Sequence, residues 1–497
     1  MKLEPVIGLE IHVQLKTKSK MFCACANDFD LTEPNKNICP ICTGHPGVLP
    51  VANKQAIVLG VKAALALNLK INEYSKFDRK SYFYPDLPKG YQISQYDKPL
   101  AENGYLEILL PDGEKIFGIE RLHLEEDAAK NFHHDDCTLI DFNRAGTPLV
   151  EIVTKPDFKS PQEAKIFLQE LRMIMRLLNI SDADMEKGQL RCDANISLRP
   201  LGDKKLYPKT EIKNLNSFRA VEYALAYEIK RQTKLWETNQ VPDNQETRGW
   251  NEQQGITVEQ RTKEEASDYR YFPEPDLPPI AITLEEINFI KKQIPELPNQ
   301  KRQRLINEYG FKLSEVNILL NIPGFDSYAE KVYSEFLAWL ESGDEIEGTA
   351  AEIQAEYKNK IAKLVSSWLL NNLLQLMNKS GKSVTDLKIT PENMAEFLRL
   401  IFNRRVNSTS AQVILEKMFN TGGDPSNIMD ELDLQQTTGS DIDQIVKEVI
   451  SENKSQVEQY KQGKVVVLKF LIGAVMKKSK GKADPKAVEE MLIKLLN

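Results

Sequence analysis

The stretch VIGLEIHVQL, residues 6–15, determines how the first half of this chain folds. Apolar residues alternate along it with glycine or polar residues, and successive side chains of a β-strand point to opposite faces of a sheet. The positions between the apolar ones are Gly8, Glu10, His12 and Gln14. We therefore predict a strand with one face packed on a core and the other lined by polar groups.

Three more stretches, residues 119–125, 190–199 and 209–213, show the same alternation. Their polar faces carry Arg121, His123 and Glu125, then Arg191, Asp193 and Asn195, then Lys209, Glu211 and Lys213. Polar faces of this kind are typical of a concave sheet that binds divalent metal and phosphate. Ordinary solvated strand faces are the alternative, because half-solvated antiparallel strands are common.

The acidic residues of these faces, with one histidine, form a candidate metal and catalytic set. Its members are Glu10, His12, Glu125, Asp193 and Glu211. Carboxylates with a single imidazole suit Mg²⁺ or Mn²⁺ better than a closed zinc site. If these side chains converge, their mutual repulsion requires a bound cation. Taken alone, His12 also fits an ordinary hydrogen-bonded histidine of the surface or core.

The length and charge of the chain limit how it can be organised. A chain of 497 residues is expected to hold about three domains at roughly 150 residues each. Strand patterns dominate residues 1–294, and helical patterns fill residues 295–405 and 406–497, so we predict an α+β protein with these boundaries. A net charge of −7 excludes a globally basic nucleic-acid binder but leaves a local basic patch open.

No feature of the sequence directs the chain to a membrane or out of the cell. No apolar run approaches the roughly 20 residues of a membrane span. The first residues, MKLEP, lead directly into a strand pattern and resemble neither a secretory signal nor a transit peptide. We therefore expect a cytoplasmic protein in a reducing compartment.

Four of the six cysteines form two close pairs, Cys23 with Cys25 and Cys39 with Cys42. Two such pairs joined by a short connection are typical of a structural Zn²⁺ site with four thiolate ligands. One residue separates the first pair where two are usual. Disulfide bonds are the alternative, which a reducing compartment disfavours.

Two loops combine basic and aromatic residues, one with Lys80 and Tyr82 and one with Lys263 and Arg270. Such loops can stack a nucleotide base and contact phosphate, although each is also typical of a packed turn. The sequence has no glycine-rich phosphate loop, no nucleophile elbow and no Ser-Lys amidase signature. If the protein uses ATP, a sheet with metal ions must hold it.

The last part of the chain, residues 461–494, is rich in lysine. Its central lysines are Lys477, Lys478, Lys480 and Lys482. Lysines neutralise RNA phosphates without reading sequence, which suits recognition of RNA shape. A solvated helical surface is the alternative for this region.

Eight segments of the chain closely resemble the B-subunit family of tRNA-dependent amidotransferases, and the resemblance covers essentially the whole chain. They are residues 6–22 (VIGLEIHVQLKTKSKMF), 39–56 (CPICTGHPGVLPVANKQA), 80–97 (KSYFYPDLPKGYQISQYD), 122–130 (LHLEEDAAK), 141–157 (DFNRAGTPLVEIVTKPD), 190–200 (LRCDANISLRP), 211–220 (EIKNLNSFRA) and 268–279 (DYRYFPEPDLPP). The acidic residues 341–360 match least and resemble an insertion.

The resemblance implies a fold and a set of sites. It implies a cradle domain with an antiparallel sheet similar to the catalytic fold of glutamine synthetase, followed by two all-α domains, the last of which binds tRNA. It assigns the metal and kinase roles to the candidate set above. It assigns nucleotide contacts to Lys80, Tyr82, Lys213, Lys263 and Arg270. Only some family members carry the zinc site, and all four thiols are present here.

The resemblance also implies an activity. Such a protein uses ATP and Mg²⁺ to phosphorylate the side-chain carboxylate on mischarged Glu-tRNA(Gln) or Asp-tRNA(Asn), and ammonia then displaces phosphate. A partner glutaminase, the A subunit, would supply the ammonia, and a small C subunit would complete a heterotrimer. A metal-dependent ligase of a free amino acid and a noncatalytic zinc-containing RNA-binding scaffold are the alternatives. The sequence leaves open which of the two tRNA substrates is used.

Overall fold

A computed structural model describes residues 2–28, 33–263, 268–342, 349–436, 440–479, 482–483 and 485–496. The chain divides into two compact units, Met1–Gln300 and Lys301–Asn497. No helix in the described part of the chain is both long and apolar enough to cross a membrane.

The first unit contains the β-strands. They are β1 (Leu3–Gln14), β2 (Lys70–Ile71), β3 (Tyr74–Ser75), β4 (Asp78–Ser81), β5 (Tyr91–Ser94), β6 (Ala101–Leu110), β7 (Gly113–Glu126), β8 (Lys130–His133), β9 (Thr138–Asp141), β10 (Pro148–Thr154), β11 (Leu190–Pro200), β12 (Thr210–Leu215), β13 (Gln245–Asn251), β14 (Ile256–Lys263), β15 (Phe272–Pro273) and β16 (Ile280–Ala281). Its helices are α1 (Lys54–Ala66), α2 (Pro161–Leu177), α3 (Phe218–Glu237) and α4 (Leu284–Lys291).

Nine of these strands form one sheet in the order β14-β13-β12-β11-β1-β10-β7-β6-β2. The central strand, β1, pairs antiparallel with β11 and β10, and β10 pairs antiparallel with β7. Of the pairs recorded in this sheet, only β12 with β13 is parallel. The predicted α+β class with a largely antiparallel sheet is therefore confirmed.

The alternation that predicted β1 is visible in its burial. Ile7, Leu9 and Ile11 are fully buried and belong to a core shared with α1, α2 and α3. Burying a side chain of this kind contributes roughly 1.5–3 kcal/mol, so the apolar face fixes which way the strand faces. The opposite face of β1 presents Glu10 and His12.

The helix starts follow from local sequence. Ser160 precedes α2 and accepts a hydrogen bond from the backbone N–H of Glu163, and Pro161 occupies the first turn. Ser217 caps α3 in the same way through the N–H of Ala220. These caps place both helices where their apolar stripes meet the sheet.

The rest of the chain is helical in the residues that are described. The helices are α5 (Pro298–Arg304), α6 (Leu313–Asn321), α7 (Phe325–Ser342), α8 (Ala350–Ser367), α9 (Leu374–Ser380), α10 (Pro391–Phe402), α11 (Ser408–Thr421), α12 (Pro425–Glu431), α13 (Ser440–Glu452), α14 (Lys454–Lys461), α15 (Val467–Lys478) and α16 (Pro485–Leu496), with π-helical turns at Leu305–Tyr309 and Trp368–Leu373. One apolar core runs from Leu305 to Met429 and another from Ile442 to Leu496. The core from Leu305 to Met429 includes residues on both sides of position 405, where one domain boundary is predicted. The predicted domain boundaries stay predictions.

Candidate metal centre and catalytic face

Three adjacent strands bring two histidines and two glutamates together on the polar face of the sheet. Glu151 of β10 lies opposite His12 of β1 on one side and opposite His123 of β7 on the other. Glu125 follows two residues after His123, on the same face. We call His12, His123, Glu125 and Glu151 the histidine–glutamate cluster.

The distances within this cluster suit a metal ion. His12 Nε2 lies 3.4 Å from Glu125 Oε1 and 3.3 Å from Glu151 Oε2. One ligand atom from each of these three residues lies within 4.8 Å of the others. Two carboxylates and one imidazole are donors that divalent cations accept, so these residues could hold such an ion.

Charge inside the histidine–glutamate cluster is strongly coupled. Burial acts to lower the pKa of His123, but Glu151 and Glu125 outweigh burial and raise that pKa to about 9. The same carboxylates raise the pKa of His12 against burial. In turn, the histidines hold the pKa of Glu151 well below its usual value, although burial acts to raise it. The two carboxylates of the cluster therefore stay ionised and can interact with a positively charged group, either a protonated histidine or a metal ion.

Two other residues of the predicted metal set, Asp193 and Glu211, pair with Lys213, and the third, Glu10, lies on the neighbouring strand. Lys213 Nζ lies 2.6 Å from Asp193 Oδ2 and 3.0 Å from Glu211 Oε1. Glu10 lies opposite Asp193 and accepts a hydrogen bond of 2.9 Å from Asn195 Nδ2. We call Glu10, Asp193, Glu211 and Lys213 the lysine–carboxylate group. The predicted five-residue set is thus divided between two neighbouring positions on one face.

Lys80 and Tyr82 lie beside the histidine–glutamate cluster. Burial acts to lower the pKa of Lys80, but the nearby charge of Glu125 is the largest influence that raises it, and the net shift is upward. Its ammonium lies 5.0 Å from the ring centre of Tyr269 and 5.8 Å from that of Tyr82. Ser94 Oγ donates a hydrogen bond of 3.2 Å to Glu125 Oε2. Lys80 therefore presents a positive charge to this side of the cluster.

The described members of the set predicted to contact a nucleotide have different neighbours. Lys213 belongs to the lysine–carboxylate group, whereas Lys80 lies near the rings of Tyr82 and Tyr269. The side chain of Arg270 is 83 % exposed and lies 3.7 Å from Asp268. Lys263 ends β14, and its side chain lies outside the described part of the chain.

An open cleft of about 660 Å³ lies next to the lysine–carboxylate group. Its walls include Gly8, Glu10, Asn195, Tyr207 and Lys209. Lys209 Nζ lies 3.7 Å from Glu10 Oε1, and the buried Asn195 Oδ1 has no hydrogen-bond partner among the described residues. Its volume falls in the range of roughly 300–1,000 Å³ that is typical of small-molecule sites.

The four predicted zinc ligands converge. The sulfur atoms of Cys23, Cys25, Cys39 and Cys42 all lie within 4.8 Å of one another. Cys39 Sγ and Cys42 Sγ are 3.9 Å apart. A tetrahedron with Zn–S bonds of about 2.3 Å has edges of about 3.8 Å, so the spacing fits zinc. All six cysteines of the chain are free, which gives the disulfide alternative no support.

One thiol of this site is poised as a thiolate. A hydrogen bond with Cys23 is the main influence that lowers the pKa of Cys42, and the charge of Lys20 adds to it. Burial acts in the opposite direction, and the pKa falls to about 5. A thiolate is the form in which cysteine binds a metal.

Neither Glu151 nor His123 belongs to the metal set predicted from the sequence. Glu151 is the only charged residue of β10, whose sequence PLVEIVT is otherwise apolar apart from Thr154. A lone carboxylate in such a buried strand is rarely tolerated without a partner, and this was the available signal. Its partners could be named only once the strand order was known.

The tail lysines differ in their surroundings. Lys477 is exposed, whereas Lys478 Nζ lies 2.9 Å from Glu448 and 2.6 Å from Glu452. Lys482 pairs with Asp433. Lys480 lies outside the described residues.

Comparison with known proteins assigns the family. Residues 5–288, which include both charged clusters and the four-cysteine site, match the model of the GatB/GatE catalytic domain. Residues 350–496 match the model of the GatB domain. The chain belongs to the GatB family. Its relatives in three bacteria bear the name of the B subunit of aspartyl/glutamyl-tRNA(Asn/Gln) amidotransferase.

The similarity to these GatB relatives extends over whole chains. The protein of Thermodesulfovibrio yellowstonii is 47 % identical, with 100 % of both chains covered. That of Thermoanaerobacter pseudethanolicus is 46 % identical over 99 % of both chains, and that of Persephonella marina is 45 % identical over 100 % of both. The histidine–glutamate cluster therefore lies in the catalytic domain of a GatB protein.

Proposed function

We propose that this chain activates the side-chain carboxylate of mischarged Glu-tRNA(Gln) or Asp-tRNA(Asn) with ATP and joins ammonia to it, giving Gln-tRNA(Gln) or Asn-tRNA(Asn). The name of the GatB relatives gives the reaction class. The histidine–glutamate cluster supports it most directly, because it is a largely buried set of metal donors on the polar face of the sheet. The sheet itself is proposed to resemble the catalytic fold of glutamine synthetase.

The physical need for ATP follows from the substrate. A carboxylate is a poor acyl donor, and its phosphorylation creates a leaving group that ammonia can displace. His12, Glu125 and Glu151 would hold Mg²⁺, which supplies neutralisation of phosphate charge. Lys80 lies beside Glu125 and would attract the substrate carboxylate toward the cluster.

The cleft beside the lysine–carboxylate group is the place we propose for ATP. Lys209 and Lys213 offer ammonium groups to phosphate, and Tyr207 offers an aromatic face to the base. Glu10, Asp193 and Glu211 would bind a second Mg²⁺ with the nucleotide. The assignment of Lys80, Tyr82, Lys263 and Arg270 to nucleotide contacts stays a prediction.

The ammonia must come from another protein. We propose a glutaminase partner, the A subunit, and a small C subunit, in accordance with the name of the relatives, which are B subunits. We also propose that the complex works in the cytoplasm, where charged tRNA is made. These partners would make the chain one member of a heterotrimer.

The four-cysteine site is proposed to bind one structural Zn²⁺. Its sulfur spacing fits the ion, and it lies in the loop between β1 and α1. Asn53, which caps α1, donates from Nδ2 to the carbonyl of Ser19 at 2.9 Å. The zinc would therefore stabilise the entry of the chain into α1.

The tail is proposed to bind the tRNA backbone. Lys477 is exposed on α15, and Lys461, Lys464 and Lys469 are exposed nearby in the sequence. Phosphate contacts require accessible cations, which these four lysines provide. Lys478 and Lys482 are partly neutralised by acidic neighbours.

One assay tests the proposal against its alternatives. The complex with both partner proteins is incubated with Glu-tRNA(Gln), ATP and glutamine, and ATP hydrolysis and Gln-tRNA are measured. We expect hydrolysis that depends on mischarged tRNA. Glutamine formed from free glutamate without tRNA would indicate a free-amino-acid ligase. An absence of ATP hydrolysis would indicate a noncatalytic scaffold.

A further inference from the structure

Lys20 is a buried lysine whose charge has no carboxylate partner in the part of the chain that is described. Only 1 % of the residue is exposed. Its ammonium lies 3.8 Å from Cys42 Sγ and 2.9 Å from the carbonyl oxygen of Asn37, and it reaches that of Phe142 at 3.5 Å. Two carbonyl dipoles satisfy its hydrogen bonds but do not cancel its charge.

A buried charge is costly unless an opposite charge compensates for it. Among the described residues, the group in contact with Lys20 that can carry a negative charge is Cys42 of the four-cysteine site, at 3.8 Å. Four thiolates around one divalent cation carry two net negative charges. A lysine ammonium at this distance reduces that excess, so the lysine and the loaded site stabilise each other.

We propose that Lys20 is the charge-compensating residue of the four-cysteine site and that it raises the affinity of the site for Zn²⁺. This inference rests on the zinc site proposed above and adds a residue outside the ligand set. Lys20 is a positioning residue, since it acts through Cys42.

Lys20 also has a structural alternative that must be separated from this role. Its side chain joins two backbone segments, at Asn37 and Phe142, and its backbone carbonyl accepts a hydrogen bond of 3.2 Å from Asn53 Nδ2. A lysine that merely ties these segments together would act through hydrogen bonds. Lys20→Gln keeps a donor and removes the charge, whereas Lys20→Met removes both.

The test uses the full chain, stripped of metal under reducing conditions and titrated with Zn²⁺ against a chromophoric chelator. We expect Lys20→Gln and Lys20→Met each to weaken Zn²⁺ binding by about 10–100-fold, the usual range for an outer partner of a metal ligand. Lys20→Arg should retain most of the affinity. Lys18→Met is the matched control, because Lys18 is exposed in the same loop.

A second readout separates charge from folding. Chelation should lower the thermal midpoint of wild type more than that of Lys20→Met, because the lysine stabilises the loaded site. Zinc affinity within about twofold of wild type in both neutral variants overturns the proposal, as does full rescue of affinity by Lys20→Gln. If wild type itself binds no stoichiometric Zn²⁺, the zinc site fails as well.

Discussion

At the scale of single residues, Glu151 is the position around which the candidate metal centre is organised. Its carboxylate lies 3.3 Å from His12 Nε2 and 3.3 Å from His123 Nε2. Both histidines carry a raised pKa because of it and of Glu125. Replacing this one carboxylate therefore lowers the pKa of both histidines at once.

We predict that Glu151→Gln and Glu125→Gln each lower ATP hydrolysis dependent on mischarged tRNA by at least about 100-fold. Loss of a metal ligand removes several kcal/mol of stabilisation of charge in the transition state. His12→Ala should have a comparable effect. The measurement is phosphate release by the reconstituted complex.

Glu107→Gln serves as the control for these variants, since Glu107 lies on β6 outside both charged clusters. It should keep near-normal hydrolysis. Normal hydrolysis in Glu151→Gln or Glu125→Gln, with folding intact by circular dichroism, would contradict the metal assignment.

At the scale of secondary structure elements, a buried ion network holds α3 against the sheet. The carboxylate of Glu228 is fully buried and forms ion pairs with two arginines. Arg231 lies 2.9 Å from it, and Arg248 lies 3.5 Å from it. Arg231 also pairs with Glu246 of β13. Arg231 Nη2 also donates a hydrogen bond of 3.4 Å to Thr210 Oγ1, at the start of the strand that carries Glu211 and Lys213.

We predict that Arg231→Met lowers the free energy of unfolding by roughly 3 kcal/mol near neutral pH, because it removes the nearer of the two arginines that compensate the buried carboxylate of Glu228. Burial acts to raise the pKa of Glu246, but Arg231 outweighs it and the pKa is lowered. The ion pair of Glu246 with Arg231 therefore stabilises the fold fully at pH values above about 4.3, the pKa of glutamate in the unfolded chain. This stabilisation is lost as the pH falls through the lower pKa of Glu246 in the folded protein. The deficit of the variant should shrink in acid.

Denaturant unfolding at neutral and acidic pH measures both parts of this prediction. Arg219→Met is the control, because Arg219 is an exposed arginine of the same helix. A deficit that is equal at both pH values would show that Arg231 acts through packing and not through charge.

The loop between β1 and α1 gives a second prediction at this scale. We expect about one Zn²⁺ per chain by elemental analysis, and a lower thermal midpoint after chelation, because the metal closes the loop that leads into α1. The double variant Cys39→Ser with Cys42→Ser should lose the metal and show the same lower thermal midpoint as the chelated wild type. Less than about half an equivalent in wild type, with no change on chelation, would favour free thiols.

At the scale of the whole molecule, the catalytic face and the lysine-rich tail lie in different compact units. The core from Ile442 to Leu496 contains its own helices and carries neither charged cluster. Binding of tRNA and activation of its amino acid are therefore expected to be separable by mutation.

We predict that Gln substituted together at Lys461, Lys464, Lys469 and Lys477 weakens tRNA binding and lowers its salt dependence by about one unit of slope for each phosphate that is no longer neutralised. Hydrolysis at saturating tRNA should change little. The measurement is a tRNA titration at several salt concentrations. Lys478→Gln with Lys482→Gln is the comparison pair, and should have a smaller effect because acidic residues already neutralise those lysines.

If the titrations of the fourfold variant and of wild type coincide at every salt concentration, these lysines form only a solvated surface. The tRNA would then be bound by another part of the chain.

By itself the sequence determined local properties. The alternation in residues 6–15 was enough for the strand and its buried face, because the period of side chains along a strand is two. The spacing of the four cysteines was enough for their common site. Each depends on residues close together in the chain, or on a chemistry that few residue types share.

Only the tertiary structure decided which polar residues meet. Strand order placed β10 between β1 and β7, so Glu151 joined His12 and Glu125 and the predicted five-residue set was divided. Partners across strands are set by long-range register, which alternation along one strand does not contain. The same holds for Lys20, whose buried ammonium meets Cys42 only because the loop folds back on itself.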